Sequence, residues 1–171
     1  MPTPFGGRPN VWAHSLSPLT APHDPFGYRI ISGYVWWRLI YWRWRLYLAA
    51  RRRGTPVSAP GLSPAGSTVY FTDDESLKGV QSPSDFAHRM ALYSHSHTEC
   101  QRYGCAIVKF SLAGISYTTP PPVPPATAGI TGGGAREWVT TANVALADGM
   151  EVTYTEITSR GPVFFKFTLR D

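Results

Sequence analysis

The period of the hydrophobic positions changes along the chain, and the change predicts both helices and strands. Between residues 36 and 53, apolar side chains recur at three- and four-residue steps, at Trp37, Tyr41, Trp44 and Leu48. This spacing predicts an amphipathic helix that packs its tryptophans inward and leaves its arginines in water. The arginines at residues 51–53, followed by a glycine, predict the end of the helix, because cations and glycine are favoured at helix C-termini.

Short runs of β-branched and aromatic residues predict strands. They lie at residues 28–35, 67–72, 103–112, 136–141, 150–158 and 163–169. The run at 103–112 predicts a strand buried on both faces over Ala106–Val108. A second helix is expected near 83–97, with Phe86 and Met90 inward, because Ser82-Pro83 is a typical helix start. We therefore expect an α+β fold with split, mostly antiparallel β-sheets around a cleft and flanking helices.

The length and composition of the chain indicate its domain organisation. A chain of 171 residues fits one domain. Residues 1–27, rich in Pro, Gly and Ser, are predicted to be an extended arm or linker, and residues 28–171 to form a single domain. Charged residues make up only 16% of the chain, below the usual quarter. This shortage favours a surface that lies against a partner.

The net charge of +5 is concentrated in the predicted helix, which carries six arginines between residues 38 and 53. A helix rich in tryptophan and arginine is typical of three different settings. Tryptophan and arginine bind nucleic acid by stacking and phosphate contacts, they occur on amphipathic helices with buried tryptophans, and they lie on membrane surfaces. The arginines that interrupt residues 34–50 make a membrane span unfavourable.

Other common sites are poorly supported. His95, His97, Cys100 and Cys105 do not follow an established zinc spacing, so no metal is expected and Cys105 is interpreted as a buried thiol. Two cysteines are too few for a disulfide framework. The sequence has no Gly-x-Ser-x-Gly elbow, P-loop or Rossmann fingerprint.

Three short sequence segments follow one another along the chain in an order that is informative about the fold. "YFTDD" in the strand near residue 70 precedes a helix that begins "SDFAHRMA", and a long Pro/Gly loop then leads to "GGGAREWVTT". This layout, from Val69 to Ile157, resembles the ADP-ribosyltransferase-like toxin domains of bacterial polymorphic toxins. The resemblance implies that NAD is consumed as a substrate, by transfer of ADP-ribose to a macromolecule.

The resemblance assigns roles to individual residues. Glu137, at the junction of loop and strand, matches the family's catalytic glutamate, which stabilises the oxocarbenium-like state formed as the nicotinamide–ribose bond breaks. Ser67 or Thr72 would support Glu137 with a hydroxyl. The expected NAD-binding residues are Arg29, Tyr70, Gly133 and Gly134. A carboxylate facing an open cleft has few packing contacts, so its replacement should spare the fold.

Further expectations concern biology. The resemblance implies a protein or RNA acceptor, a cognate immunity protein, and secretion or delivery as part of a larger toxin that acts in the cytoplasm of a target cell. Ala135 stands where arginine-modifying members carry Glu or Gln, which argues against a protein arginine as acceptor. The alternative from the residues themselves is a non-catalytic, basic RNA- or protein-binding subunit of a larger assembly.

Overall fold

Antiparallel strands and four helices make up the part of the chain that a computed structural model describes, residues 21–63, 68–90, 92, 94–120, 131 and 133–170. The helices are α1, which runs through Gly33–Val35, Trp36–Ile40 and Tyr41–Arg52, α2 (Asp74–Leu77), α3 (Pro83–Arg89) and α4 (Ser94–Tyr103). The strands are β1 (Phe26–Ser32), β2 (Val69–Phe71), β3 (Cys105–Ser111), β4 (Trp138–Thr140), β5 (Glu151–Thr158) and β6 (Gly161–Thr168). This confirms the α+β class.

The strands form two antiparallel sheets that meet at one point. A four-stranded sheet has the order β1-β3-β5-β6, and β2 pairs with β4 in a two-stranded sheet. Between the sheets, the backbones of Tyr28 and Thr72 exchange two hydrogen bonds of 2.9 Å. The end of β2 is therefore fixed to β1, which matters for the site described below.

Strand β3 lies at the centre of the core and is buried over residues 105–108, as predicted. Ala106 and Val108 join the hydrophobic cluster that contains the buried side of α1. Cys105 and Ile107, on the opposite face of the strand, join the cluster that contains Phe86 of α3. The four-stranded sheet is thus covered by α1 on one face and by α3 on the other.

Helix α1 begins three residues earlier than expected. The strand predicted over residues 28–35 ends at Ser32, whose hydroxyl caps the helix by accepting a hydrogen bond from the N–H of Val35. Gly33 is consequently the first helical residue rather than a strand residue. The segment Trp36–Ile40 is a π-helical turn, and Trp37 within this turn stacks on Phe167 of β6.

The inward side of α1 matches the predicted spacing, because Trp44 and Leu48 are buried in the core. The expectation that the tryptophans pack inward is wrong for Trp42, which is 58% exposed. Gly54 ends the helix with φ of +77°, the left-handed conformation that glycine adopts without strain.

The helix expected near 83–97 is divided into α3 and α4. Phe86 and Met90 are buried as predicted. At the end of α3, the carbonyl oxygen of Arg89 accepts a 2.6 Å hydrogen bond from the hydroxyl of Thr131. A carbonyl satisfied in this way does not need a further turn of helix.

Cys100 and Cys105 form a disulfide, so the interpretation of Cys105 as a buried thiol is wrong. Helix α4 ends at Tyr103, and Gly104, with φ of +85°, reverses the chain into β3. The reversal brings the two cysteine Cα atoms to 5.1 Å, within the range that a disulfide spans.

The predicted arm and the described residues overlap only at its end. Residues 1–20 lie outside the described part, whereas β1 begins at Phe26, which pairs with Ser111 of β3. The segment 121–130 of the predicted Pro-rich loop also lies outside it. Among the described helices, none is long and apolar enough to cross a membrane.

The two ends of α1 provide a test of the fold. A β-carbon on Gly33 would lie 2.1 Å from the carbonyl oxygen of Tyr103, whereas one on Gly54 would meet nothing within 4 Å. We expect Gly54→Ala to cost about 1–2 kcal/mol of unfolding free energy, from its positive φ alone. Gly33→Ala should cost about 3 kcal/mol, because backbone must move. Chemical denaturation measures both, and equal losses would contradict the close contact between α1 and the end of α4.

Candidate functional site

The backbone of Arg136, the residue before Glu137, is held by the segment that follows β2. Its N–H donates to the hydroxyl of Ser76 at 3.0 Å, and its carbonyl accepts from the hydroxyl of Thr72 at 2.6 Å. Thr72 and Ser76 are both fully buried. Both peptide groups of Arg136 are therefore satisfied by side chains more than fifty residues earlier in the chain, and the start of β4 has a fixed position.

The guanidinium of Arg136 forms a buried ion pair with Asp73. Their side chains are 8% and 0% exposed, and Nη2 of Arg136 donates to Oδ2 of Asp73. Asp73 also caps α2 by accepting from the N–H of Ser76 at 3.0 Å, and it accepts from the N–H of His23 at 3.1 Å. With three donors on its two oxygens, the buried carboxylate of Asp73 has a fixed position. Helix α2 therefore begins at Asp74 with Asp73 as its cap.

A turn at Gly133 and Gly134 leads into Arg136. The N–H of Thr131 donates to the carbonyl of Ala135 at 2.7 Å, and Gly134 has φ of +96°. A β-carbon on Gly133 would lie 2.0 Å from the carbonyl oxygen of His88. Gly133 is therefore required for packing against the end of α3. Its predicted role in binding NAD stays a prediction.

Glu137 and Arg29 are electrostatically coupled in a partly buried place. Burial raises the pKa of Glu137 to about 7, against the opposing effect of the Arg29 charge. Burial lowers the pKa of Arg29, and the charge of Glu137 opposes that change. Nη1 of Arg29 donates to the carbonyl of Tyr70 at 3.1 Å, whereas its buried Nε has no hydrogen-bond partner among the described residues. Arg29 of β1 thus contacts Tyr70 of β2 directly, and it interacts electrostatically with Glu137, which stands immediately before β4.

The other predicted residues have different positions. The hydroxyl of Thr72 contacts the carbonyl of Arg136 and is fully buried, so it positions the backbone next to Glu137 rather than facing a ligand. Ser67 lies outside the described residues.

Sequence reasoning missed the residues that hold the site together, namely Asp73, Ser76, Arg136 and His23. Asp73 caps α2, but its partner Arg136 is 63 positions away in the sequence. The exposed His23 accompanies this cluster, with Nδ1 3.1 Å from Oδ1 of Asp74, and that hydrogen bond raises its pKa. Residue 23 belongs to the predicted arm, so the end of the arm is attached to the site.

A concave region elsewhere on the protein shares no residue with the predicted site. This cleft, of about 500 Å³, lies between the start of α1, the end of α4 and strand β5. Arg38 and Arg102 line it, each with its guanidinium over a tyrosine ring. Across the described ranges, no three His, Cys, Asp or Glu side chains are grouped in a way that could hold a metal ion.

Comparisons of the chain with protein-family models, curated proteins and solved structures found no match.

Because the ion pair between Asp73 and Arg136 is buried, replacing Arg136 should destabilise the protein more than replacing a lysine of a surface ion pair. Arg136→Met leaves the buried carboxylate of Asp73 without its counter-ion, which should cost about 3–5 kcal/mol of unfolding free energy. Lys166 pairs with Glu151 at 3.6 Å on the surface, with side chains 69% and 41% exposed. Lys166→Met should therefore cost less than about 1 kcal/mol. Urea denaturation of both variants measures the difference. Similar losses would mean that the Arg136 contact is not a buried pair.

The raised pKa of Glu137 predicts a pH dependence of stability. Between pH 4.5, its ordinary pKa, and about 7, the folded protein keeps a proton that the unfolded chain has released. The free energy of unfolding should therefore fall as pH rises through this interval, by up to about 3 kcal/mol. Glutamine does not titrate, so Glu137→Gln should match the wild type near about pH 5 and exceed its stability near about pH 8.

The control for this prediction is Glu151→Gln, which changes an exposed carboxylate paired with Lys166. It should give no comparable gain in stability at the higher pH. Unfolding curves of the three proteins at both pH values make the comparison, and a Glu137→Gln variant that is no more stable than wild type above neutrality would refute the burial of this carboxylate.

Proposed function

We propose that the chain is an NAD-consuming ADP-ribosyltransferase domain with Glu137 as its catalytic carboxylate and Arg29 as its phosphate-binding residue. The observation that carries the proposal is the coupled pair itself. A titratable group whose pKa is shifted by burial, next to a charged partner, is typical of functional sites. A surface strand residue in water would have neither property. The fold proposed for this function is the ADP-ribosyltransferase fold, within the α+β class already established.

Glu137 would act on the bond between nicotinamide and ribose. When this bond breaks, its electron pair remains on the nicotinamide nitrogen and positive charge develops on the ribose. A carboxylate held near the ribose stabilises that charge more strongly in a partly buried place than in water. The acceptor's lone pair then forms the new bond to the ribose carbon, and the acceptor's proton passes to the carboxylate or to water.

Arg29 would bind the pyrophosphate. A guanidinium has five N–H donors, and the carbonyl of Tyr70 accepts from one of its nitrogens. Phosphate oxygens are the ligands that such a planar group pairs with most strongly. Tyr70, 44% exposed, is available beside it for a contact with the dinucleotide.

The acceptor would be a protein or an RNA, and the domain would be delivered as part of a larger secreted toxin, act in the target cell's cytoplasm and have a cognate immunity protein. One structural feature supports passage through an oxidising compartment. The buried disulfide between Cys100 and Cys105 is of a kind that forms and persists outside the reducing cytosol.

Nicotinamide release from NAD tests the proposal. Glu137→Gln should lower the rate by a factor on the order of 10²–10³, because it removes the charge that stabilises the oxocarbenium. The wild-type rate should increase with pH through about 7 as Glu137 ionises. Glu156→Gln, a matched change in the cleft between α1, α4 and β5, should leave the rate unchanged. Turnover by a folded Glu137→Gln variant at the wild-type rate would exclude Glu137 as the catalytic group.

Binding is measured separately by thermal unfolding with NAD. A ligand at about 100 times its dissociation constant stabilises a protein by about 2.7 kcal/mol. Glu137→Gln should keep this stabilisation and Arg29→Gln should lose most of it. A wild-type protein that neither binds NAD nor releases nicotinamide, with RNA or cell extract supplied as acceptor, would instead be the non-catalytic binding subunit.

A further inference from the structure

Helix α1 has a second apolar side that faces solvent. Leu39, Trp42 and Leu46 are 37%, 58% and 52% exposed. Trp42 and Leu46, four residues apart in the α-helical segment, lie along one side of the helix, and Leu39 precedes them in the π-helical turn. We call these three residues the outer stripe. The opposite side of the helix, which carries Trp44 and Leu48, is buried in the core, so the outer stripe is not needed to hold α1 in the fold.

Arginines border the outer stripe. Helical residues advance by about 100° per position. Arg43 and Arg45, the neighbours of Trp44, therefore lie at the two borders between the buried side and the outer stripe, and both are exposed. Arg38 is exposed as well. The sequence contains no Asp or Glu between Asp24 and Asp73, so no acid from the same stretch offsets this charge.

We propose that α1 docks the protein on an anionic lipid surface, with the outer stripe among the headgroups and the bordering arginines on lipid phosphates. Tryptophan is favoured at the boundary between headgroups and acyl chains. Arginine extends its apolar stem along such a surface and keeps its guanidinium at the phosphates. A helix with leucine and tryptophan on one side and basic residues beside them lies in the plane of the interface.

The composition of the outer stripe favours lipid over RNA. Sites for single-stranded nucleic acid use several aromatic rings on which successive bases stack. Two of the three positions in the outer stripe are leucines, which do not stack on bases. An apolar stripe with cations along both borders is complementary to a flat anionic surface, because the stripe and the arginines on both borders contact that surface at the same time.

This docking goes beyond the proposed NAD chemistry and needs neither Glu137 nor Arg29. The buried side of α1 stays in the domain core, so the helix lies on the membrane without entering its hydrocarbon. Binding should then combine a hydrophobic part from the outer stripe with an electrostatic part from the arginines, and each part can be removed separately.

Co-sedimentation of the full chain with vesicles tests the proposal. Vesicles of phosphatidylcholine mixed with phosphatidylserine should bind the protein, vesicles of phosphatidylcholine alone should bind much less, and added salt should weaken the binding. Trp42→Ser combined with Leu46→Ser should reduce the partition coefficient by a factor on the order of ten or more. The control is Ile157→Ser combined with Val163→Ser, which removes similarly exposed apolar residues from the hairpin of β5 and β6 and should leave binding unchanged.

A single charge change provides a second, milder variant. Arg45→Gln should lower binding to the mixed vesicles about fivefold, as expected for the loss of one basic residue at an anionic surface. The proposal is wrong if the mixed vesicles do not bind the wild type, if both lipid compositions bind equally, or if the control pair weakens binding as much as the stripe pair. The proposal is also wrong if the protein does not bind vesicles but binds a single-stranded RNA oligonucleotide in a way that requires Trp42. The ligand of the outer stripe would then be nucleic acid and not lipid.

Discussion

The buried ion pair between Asp73 and Arg136 is the contact on which the candidate site depends. It joins the end of β2 to the start of β4, and the hydroxyls of Thr72 and Ser76 reinforce the junction through the backbone of Arg136. An ion pair of this kind contributes little net stability relative to apolar side chains, but leaving one partner unpaired is costly. Its main effect is therefore positional, because only one arrangement of the two strands satisfies all four groups.

The fixed position of Arg136 explains why the pKa of the neighbouring Glu137 is raised. With Arg136 turned inward, Glu137 stands at a place that excludes much of the water around its carboxylate but retains the charge of Arg29. The protein would be more stable with a neutral group there above neutral pH. A carboxylate kept at the expense of stability is common where chemistry requires a charge. The outer stripe of α1 is comparable to Glu137 in this respect, because its exposed tryptophan and leucines do not contribute to the packing of the core.

Local patterns in the sequence predicted the parts whose causes are local. The three- and four-residue spacing identified the buried side of α1, Gly54 marked its end, and Ser82-Pro83 marked the start of α3. Contacts between distant residues could not be read in this way. The hydrogen bond between Thr131 and the carbonyl of Arg89, at the end of α3, is one such contact. Of the site, Glu137, Arg29 and Tyr70 were predicted, and Arg29 interacts with both of the others, whereas the ion pair that positions Glu137 was missed.

The protonation of the partly buried Glu137 carboxylate can be observed directly. Carboxyl carbon resonances of the folded protein, followed by NMR as pH is raised, give the pKa of each glutamate, and comparison with Glu137→Gln assigns the relevant signal. A midpoint for Glu137 near 7 is the predicted result. A midpoint at or below the ordinary value of 4.5 would describe a glutamate in water, and it would contradict both the site and the function proposed for it.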